Sequence, residues 1–389
     1  MFKYLLRPLG YFLIVSLVLL TIAAILGFSQ HASISLGDAP LAYKVGDDGP
    51  YAFYENGALK VSYIRGSRDE GFHVETQEYA VNDAVAAEVY FPLDDSRFNI
   101  KISPLSDNEN ALYQTSSPIL AVSDLEGNYK AFRDFLIANK VISADLQWIY
   151  GDSHLVLVGD MVDRGFSTTQ LLWFIYKLEQ EAQQAGGKVH YIVGNHEIKN
   201  MQGNVRSAAN KYIAIAGFLR KSSSDLLGKD AFLGQWLATK NTIERINGYL
   251  FVHGGIHPDI VKNDISIAEI NSLNREYYRH MYYPGLADEK TSLVISTQTG
   301  PAWYRGYFKE DNTEETLRNT LMFYQAKSVI VGHTIQFNVN SQYKNKLFAI
   351  DVKHPNDYRT SLPFKSSEGL LINNDKFYRV LDDGEKIEL

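Results

Sequence analysis

A layered α/β domain is predicted for residues 118–389 from two features of this part of the chain. Short apolar runs rich in β-branched residues recur along it, and segments with helical spacing separate the first three runs. Because the runs are too short for buried helices, each is interpreted as a core strand. The predicted strands are residues 119–122, 154–158, 189–193, 249–252, 328–331 and 347–350, and the first helices are residues 129–140 and 168–185.

The N-terminus contains an apolar segment of membrane-spanning length. Residues 9–28 carry no charged side chain, and Lys3 and Arg7 precede them. An α-helix of this length crosses the ~30 Å hydrocarbon layer of a bilayer. Because basic residues stay on the cytoplasmic side, the sequence predicts a single-pass inner-membrane anchor with the remainder of the chain in the periplasm. A cleaved export signal is the alternative, but residues 27–32 lack the usual small-residue cleavage site.

Two further segments separate the anchor from the α/β domain. Residues 29–50 are polar and punctuated by Gly and Pro, which predicts a tether. Residues 51–117 contain runs such as 59–64 and 87–91, in which apolar and polar side chains alternate. This alternation predicts a half-buried antiparallel sheet. No group of chemically reactive side chains occurs there, so the segment is interpreted as an accessory β region that packs on the main domain.

The composition excludes several classes of protein. The chain has no cysteine, which excludes disulfides, zinc–thiolate sites, cysteine nucleophiles and a lipoprotein anchor. The formal net charge of -7 argues against a nucleic-acid partner, because a phosphate backbone requires a basic protein surface. A small phosphate ester remains a possible ligand, since local Arg side chains and bound cations can reverse the field inside a cleft.

Polar residues directly follow five of the six predicted strands. The blocks are Ser123-Asp124-Leu125-Glu126-Gly127-Asn128, Gly159-Asp160-Met161-Val162-Asp163-Arg164-Gly165, Gly194-Asn195-His196-Glu197, His253-Gly254-Gly255 and Gly332-His333-Thr334. Ligands of open α/β sheets bind beyond the carboxyl ends of the strands, so the five blocks are expected to meet in one crevice. Oxygen and imidazole donors without sulfur suit divalent ions such as Mn, Fe, Zn or Mg.

The second and third blocks resemble motifs of the calcineurin-like metallophosphoesterases, and more closely those of the phosphoprotein phosphatase branch. The resemblance extends over about residues 119–352 in both order and spacing. The third block, the late Trp303-Tyr304-Arg305-Gly306 and the final Gly-His-Thr are together similar to bacterial Shewanella-like phosphatases, and Asp48-Gly49-Pro50-Tyr51 agrees with that grouping. The resemblance implies a layered β-sandwich flanked by helices and a hydrolase that acts on phosphoric monoesters.

The resemblance also implies a site with two divalent metal ions. The implied ligands are Asp124, Glu126, Asp160, Asn195, His253 and His333. Asp160 would bridge the ions, because one carboxylate has an oxygen for each. Such a pair of cations can activate water, orient a phosphoryl group and stabilise an in-line transition state.

Acid catalysis and substrate binding are assigned to a second group of residues by the same resemblance. His196 would be the general acid, since histidine titrates near neutral pH, and Asp163 would orient it. Arg164 would bind the phosphate group of a phosphorylated protein substrate. Arg305 is a candidate for a second bidentate clamp; an exposed Arg stacked on Trp303 or Tyr304 is an equal alternative.

One position departs from the family pattern, which usually reads Asp-x-His where this chain has Asp124-Leu125-Glu126. Glu126 offers an oxygen donor on a stem of about imidazole length. An anionic oxygen in place of nitrogen makes the first site harder and favours manganese or magnesium over zinc. The identity of the metal is therefore open, with manganese favoured.

The same residues admit other interpretations. Asp124 could be a helix cap, and Asp163 with Arg164 could form an ordinary surface ion pair. The coincidence of five blocks favours ligation. A nucleotide or dinucleotide polyphosphate hydrolase is the alternative activity, because related enzymes share the metal core. A catalytically silent binding protein is the second alternative, but such a protein would not require an acid at His196.

Overall fold

The computed structural model describes residues 2–29, 34–37, 39–105, 108–285, 287–309 and 314–389. The α-helices of these residues are α1 (Phe2–Ser29), α2 (Leu41–Val45), α3 (Tyr129–Ala138), α4 (Thr168–Gln184), α5 (Asn195–Met201), α6 (Lys211–Phe218), α7 (Phe232–Ala238), α8 (Pro258–Lys262), α9 (Ile267–Tyr277), α10 (Glu289–Ile295) and α11 (Glu314–Phe323). The first strands are β1 (Ile34–Leu36), β2 (Asp48–Glu55), β3 (Ala58–Ser67), β4 (Gly71–Ala80), β5 (Val85–Phe91), β6 (Ser96–Ile102) and β7 (Leu112–Tyr113).

The remaining strands belong mainly to the α/β domain. They are β8 (Ile119–Val122), β9 (His154–Val158), β10 (Lys188–Ile192), β11 (Ile243–Ile246), β12 (Tyr249–Val252), β13 (Ser328–Val331), β14 (Asn340–Gln342), β15 (Leu347–Ala349), β16 (Thr360–Leu362), β17 (Glu368–Asn373), β18 (Lys376–Leu381) and β19 (Lys386–Glu388). All six predicted core strands are confirmed to within one residue at each end. Helices α3 and α4 confirm the two predicted helices.

Two six-stranded sheets form the centre of the molecule, with the orders β10-β9-β8-β17-β18-β19 and β14-β15-β13-β12-β11-β7. Strands β8, β9 and β10 are parallel neighbours in the first sheet, and β12, β13 and β15 are parallel neighbours in the second. The carboxyl ends of each parallel group therefore lie at one edge of their sheet. This arrangement brings the polar blocks that follow the strands to a common crevice.

The inner faces of the two sheets pack on each other. Ile119, Val156 and Ile192 of the first sheet belong to one buried apolar cluster with Phe251 and Ile330 of the second. Alternate residues of the first sheet's strands join a second cluster with the helices, and those of the second sheet join a third, as strand geometry requires. Because both faces of these strands are covered, their sequences are continuously apolar. The fold is the predicted β-sandwich flanked by helices.

The accessory β region has two antiparallel units. Strands β2, β3 and β4 form a three-stranded sheet, and β5 pairs with β6. The predicted tether over residues 29–50 is wrong where the structure describes elements inside it. Strand β1 pairs with β16, α2 buries Lys44 and Val45, and β2 begins at a buried Asp48. Residues 30–33 and 38 lie outside the described residues.

A buried ion pair joins the accessory β region to the main domain. Asp48 Oδ2 lies 3.1 Å from Lys211 Nζ, and both side chains are 1% exposed. Gln170 Nε2 and the Tyr51 hydroxyl donate to the same carboxylate at 2.7 Å each. Lys211 Nζ also donates to the Phe166 carbonyl at 2.8 Å. Phe166 follows the second polar block, so the accessory region braces the loop that carries Asp163 and Arg164.

We expect Lys211→Met to lower the free energy of unfolding by about 3–5 kcal/mol, because it leaves the Asp48 carboxylate buried without a counter-charge. Urea denaturation followed by tryptophan fluorescence measures the loss. Lys221→Met is the matched control, because it removes a partly exposed partner of Glu55 and should cost less than about 1 kcal/mol. Equal losses in the two variants would contradict a special role for the buried pair.

Helix α1 contains the apolar N-terminal segment. Its window Gly10–Gly27 has a mean hydropathy of 2.4, and none of it is buried against the rest of the protein. By length and composition this helix is a candidate membrane span, and a signal sequence would have the same properties.

Candidate active site

Four side chains from four strand ends converge on one point; we call them the acceptor centre. They are Asp160, Asn195, His253 and His333, and all four are buried. His253 Nε2 lies 3.2 Å from both Asp160 Oδ2 and Asn195 Oδ1. One ligand atom each from Asp160, His253 and His333 lies within 4.8 Å of the other two.

The amide of Asn195 shows that this centre suits a cation. The amide position that carries Oδ1 lies 3.0 Å from His333 Nδ1, 3.1 Å from Asp160 Oδ2 and 3.2 Å from His253 Nε2. A carbonyl oxygen there meets only acceptors, which is unfavourable without positive charge between them. A divalent cation at the centre would satisfy all four groups at once. The donor set therefore fits a metal ion that accepts oxygen and imidazole ligands.

Both histidines of the acceptor centre are held in the tautomer that ligation needs. His253 Nδ1 donates to the Val158 carbonyl at 2.7 Å, and His333 Nε2 donates to the Trp303 carbonyl at 3.0 Å. Each ring thus turns its other nitrogen towards the centre, where the neutral ring would offer that nitrogen's lone pair to a cation. Backbone carbonyls that fix the outer nitrogen of a histidine are typical of metal sites.

The charged groups of the acceptor centre shift one another's pKa values. Burial opposes a charge on His253, but Asp160 and Asp124 outweigh it and raise the pKa of His253 to about 10. Burial, together with the charge of His253, lowers the pKa of His333 to about 2. Burial would raise the pKa of Asp160, but His253 outweighs it and holds that pKa below its usual range. Without metal, a proton on His253 thus balances the Asp160 carboxylate.

Three further carboxyl groups lie beside the centre. Asp124 Oδ2 accepts the backbone N–H of His333 at 3.1 Å, and burial raises the pKa of Asp124 to about 6. Burial raises the pKa of Glu126 to about 7, while its carboxylate accepts a hydrogen bond from Arg164 Nη1. Burial and the charges of Asp124 and Glu126 raise the pKa of Asp351 well above its ordinary value. This cluster of carboxyl groups is an environment that a second cation would stabilise.

His196 is held against the centre by a buried carboxylate. Its Nδ1 lies 2.6 Å from Asp163 Oδ2, and Asn200 Nδ2 donates to the other oxygen of Asp163 at 2.9 Å. His196 Nε2 lies 3.9 Å from Asp160 Oδ2. Burial opposes protonation of His196, but the hydrogen bond to Asp163 and the charge of Asp160 raise its pKa above the ordinary value. The geometry thus places His196 Nε2 beside the acceptor centre, in a ring whose protonated form the two carboxylates favour.

The loops that carry these groups are fixed by one buried carboxylate, that of Glu197. It accepts hydrogen bonds from the backbone N–H groups of Asp160 at 3.0 Å, Met161 at 2.8 Å and Gly194 at 2.8 Å, and from the Tyr191 hydroxyl at 3.0 Å.

Backbone φ is positive at several non-glycine residues of the site, namely Asp124, Glu126, Asp160, Asp163, Arg164 and His333. Such strain persists only where surrounding contacts hold it, and it is common at active sites.

A family model described as calcineurin-like phosphoesterase matches residues 117–337, which is more than half of the chain. The chain belongs to this family. Its predicted activity as a hydrolase of phosphoesters is thereby confirmed, and members of the family use divalent metal ions.

The relatives of this calcineurin-like phosphoesterase include several phosphatases. The cold-active protein-tyrosine phosphatase of a psychrophilic Shewanella species is 30% identical, covers 88% of this chain and 99% of its own, and has a TM-score of 0.76. Shewanella-like protein phosphatase 2 of Arabidopsis thaliana is 26% identical over 72% of this chain and 81% of its own length. Shewanella-like protein phosphatase 1 of Plasmodium berghei is 28% identical over 60% of this chain and 66% of its own length.

The two arginines predicted to bind the phosphate group, Arg164 and Arg305, contact residues of the site. The Arg164 side chain is 57% exposed and reaches back to Glu126. Arg305 Nη1 donates to the His333 carbonyl, and its Nη2 lies 3.3 Å from His333 Nδ1. Among the described residues the structure gives Arg305 no ring contact, so the predicted alternative of stacking on Trp303 or Tyr304 is not what it shows.

Sequence reasoning missed one cation of the site, Lys199. Its Nζ lies 3.0 Å from the second amide position of Asn195 and 5.1 Å from the centroid of the Trp303 ring. A signal was present in the sequence, because Lys199 follows Asn195 by four residues at the start of a helix. Residues at that spacing lie on one helical face.

Proposed function

We propose that this phosphoesterase is a two-metal phosphomonoesterase that acts on phosphorylated proteins. The convergence of Asp160, Asn195, His253 and His333 on one point carries the proposal, because four acceptor groups around a common centre fit a cation. Protein substrates are favoured by the relatives, several of which are described as protein phosphatases.

When bound, the two cations would supply Lewis-acid stabilisation of the phosphoryl group and activation of the attacking water. Asp160 would serve both ions, because one carboxylate has an oxygen for each. Asp124 and Glu126 complete the first group, which is composed of oxygen donors. That composition favours manganese, with iron, zinc or magnesium as alternatives.

The residues around the acceptor centre would handle the proton and the substrate. His196 would donate its Nε2 proton to the leaving oxygen, while Asp163 holds Nδ1 and so keeps the ring in place. Arg164 would exchange Glu126 for two oxygens of the phosphate group, because its exposed guanidinium can bind a phosphate in bidentate fashion. Arg305 is held beside His333 and would act as a second clamp.

The N-terminal helix bears on where in the cell this activity takes place. We propose that α1 is an uncleaved single-pass anchor in the inner membrane and that the phosphoesterase domain is periplasmic. The basic residues before the apolar segment favour that orientation. The lipid bilayer would then be a permanent partner of the chain.

We expect the full chain, purified in detergent, to hydrolyse an aryl phosphate when manganese is added and to lose this activity with a chelator. A panel of phosphotyrosine, phosphoserine and phosphothreonine peptides, with a dinucleoside polyphosphate, measures which leaving group is preferred. A preference for the dinucleoside polyphosphate would favour the alternative activity. Absence of turnover with every divalent metal would favour a silent binding protein.

A further inference from the structure

We propose that Lys199 is a substrate-binding residue whose ammonium group turns from Asn195 to the phosphate group when metal occupies the acceptor centre. The proposal rests on the proposed function, since it requires a cation at that centre and a phosphate substrate. Lys199 is not among the site residues predicted from the sequence.

The position of Lys199 is the first observation. Helix α5 carries it one turn after Asn195, and the side chain is half-buried. Its Nζ lies 3.0 Å from the Asn195 amide and 5.1 Å from the centroid of the Trp303 ring. The ring holds the ammonium by a cation–π contact. The Trp303 carbonyl also accepts from His333, so Lys199 and the acceptor centre share one support.

The Asn195 amide is the second observation, because it can face its neighbours in only two ways. Without metal, the NH₂ group turned to the centre can donate to His333 Nδ1 at 3.0 Å and to Asp160 Oδ2 at 3.1 Å, and the oxygen accepts from Lys199. With a cation at the centre, the oxygen must face the metal. The NH₂ group then faces the ammonium, and two donors meet at 3.0 Å. Metal binding thus removes the hydrogen-bond acceptor of Lys199.

No other acceptor lies within hydrogen-bond distance of Lys199 Nζ among the residues that the structure describes. The nearby charges are the carboxylates of Asp160 and Asp163 and the guanidinium groups of Arg164 and Arg305. In the metal-loaded site, the carboxylates are engaged by cations or by His196. A dianionic phosphate bound by Arg164 would supply oxygens that the ammonium can contact as a compact cation. The geometry therefore gives Lys199 a substrate oxygen in place of the amide oxygen.

Lys199→Met in the full chain, loaded with manganese in detergent, tests the proposal. We expect the Kd of inorganic phosphate, measured by titration calorimetry, to rise by about 10–100-fold, which is the effect of one charge-assisted hydrogen bond. The inhibition constant of phosphate against an aryl phosphate should rise in parallel. Manganese content by mass spectrometry should stay at the wild-type value.

Two variants serve as controls. Lys199→Arg keeps the positive charge and should bind phosphate within about threefold to tenfold of the wild type. Lys327→Met removes an exposed ammonium before strand β13, at the strand end opposite to the site, and should leave phosphate binding unchanged. Lys199→Gln repeats the test with a polar neutral side chain, in case the Met variant is unstable.

An unchanged Kd for phosphate in the folded Met and Gln variants would overturn the proposal. A loss of manganese in both variants would also overturn it, because Lys199 would then support Asn195 rather than the substrate. Turnover by the wild type is a separate outcome. Phosphate binding that depends on Lys199, without turnover of any phosphomonoester, would refute the proposed function but would still show that Lys199 binds phosphate in the metal-loaded site.

Discussion

Replacing Asp160 by asparagine is expected to remove at least one bound metal ion and to lower kcat/KM by about 10³-fold or more. Asp160 lies 3.2 Å from His253 and 3.1 Å from the Asn195 amide, and the proposed function gives its carboxylate to both ions. A neutral amide cannot donate a charged oxygen to each of two cations. Loss of about 4 kcal/mol of transition-state stabilisation corresponds to a factor of about 10³.

Metal content and rate must be measured on the same Asp160→Asn preparation. Asp152→Asn is the matched control, because Asp152 is exposed and precedes strand β9 at the end opposite to the site. The control should keep its metal and its activity. An Asp160→Asn enzyme with two ions and the wild-type rate would disprove the bridging role.

His196→Asn is expected to lower kcat by about 10²–10⁴-fold without loss of metal, because the leaving oxygen would lose its proton donor. The effect should be larger for a phosphoserine peptide than for an aryl phosphate, since an alkoxide needs the proton more than a phenoxide does. Parallel kinetics on the two substrates measure this difference. Equal losses would show that His196 does not protonate the leaving group.

The pH profile gives an independent check on His196. Its pKa lies above the ordinary value for histidine because Asp163 and Asp160 favour the charged ring over the effect of burial. In the proposed mechanism the active form is the protonated one, so we expect wild-type activity to fall as pH rises through that pKa. This alkaline limb should move to lower pH in Asp163→Asn and vanish in His196→Asn. His280→Asn, at an exposed position, should leave the profile unchanged.

The strands of the α/β domain could be predicted because their local sequences determine them. A run such as residues 154–158 is apolar on both faces and is followed by Gly159, where the chain turns with φ +79°. A Cβ at Gly159 would lie 2.5 Å from His253 Nδ1, so the turn also brings the two polar blocks together. Local patterns of this kind gave the strand ends, and the family resemblance implied which of the residues after them form the acceptor centre.

Features that depend on distant partners could not be predicted in this way. Strand β17 pairs with β8 across the length of the domain, and its short sequence does not identify its neighbour. Lys44 is buried with its ammonium 3.7 Å from the centroid of the Phe166 ring and 5.2 Å from that of the Tyr358 ring, contacts that no local pattern indicates. The pairing of Glu126 with Arg164 likewise depends on two loops that meet only in the folded chain.

Strand β1 has a consequence for where the enzyme can work. It pairs with β16 only a few residues after α1 ends at Ser29, and the chain between Ser29 and Ile34 can extend at most about 18 Å. With α1 retained in the bilayer, this short connecting segment would keep the phosphoesterase domain close to the lipid surface. Its substrates would then be drawn from a thin layer at the membrane face.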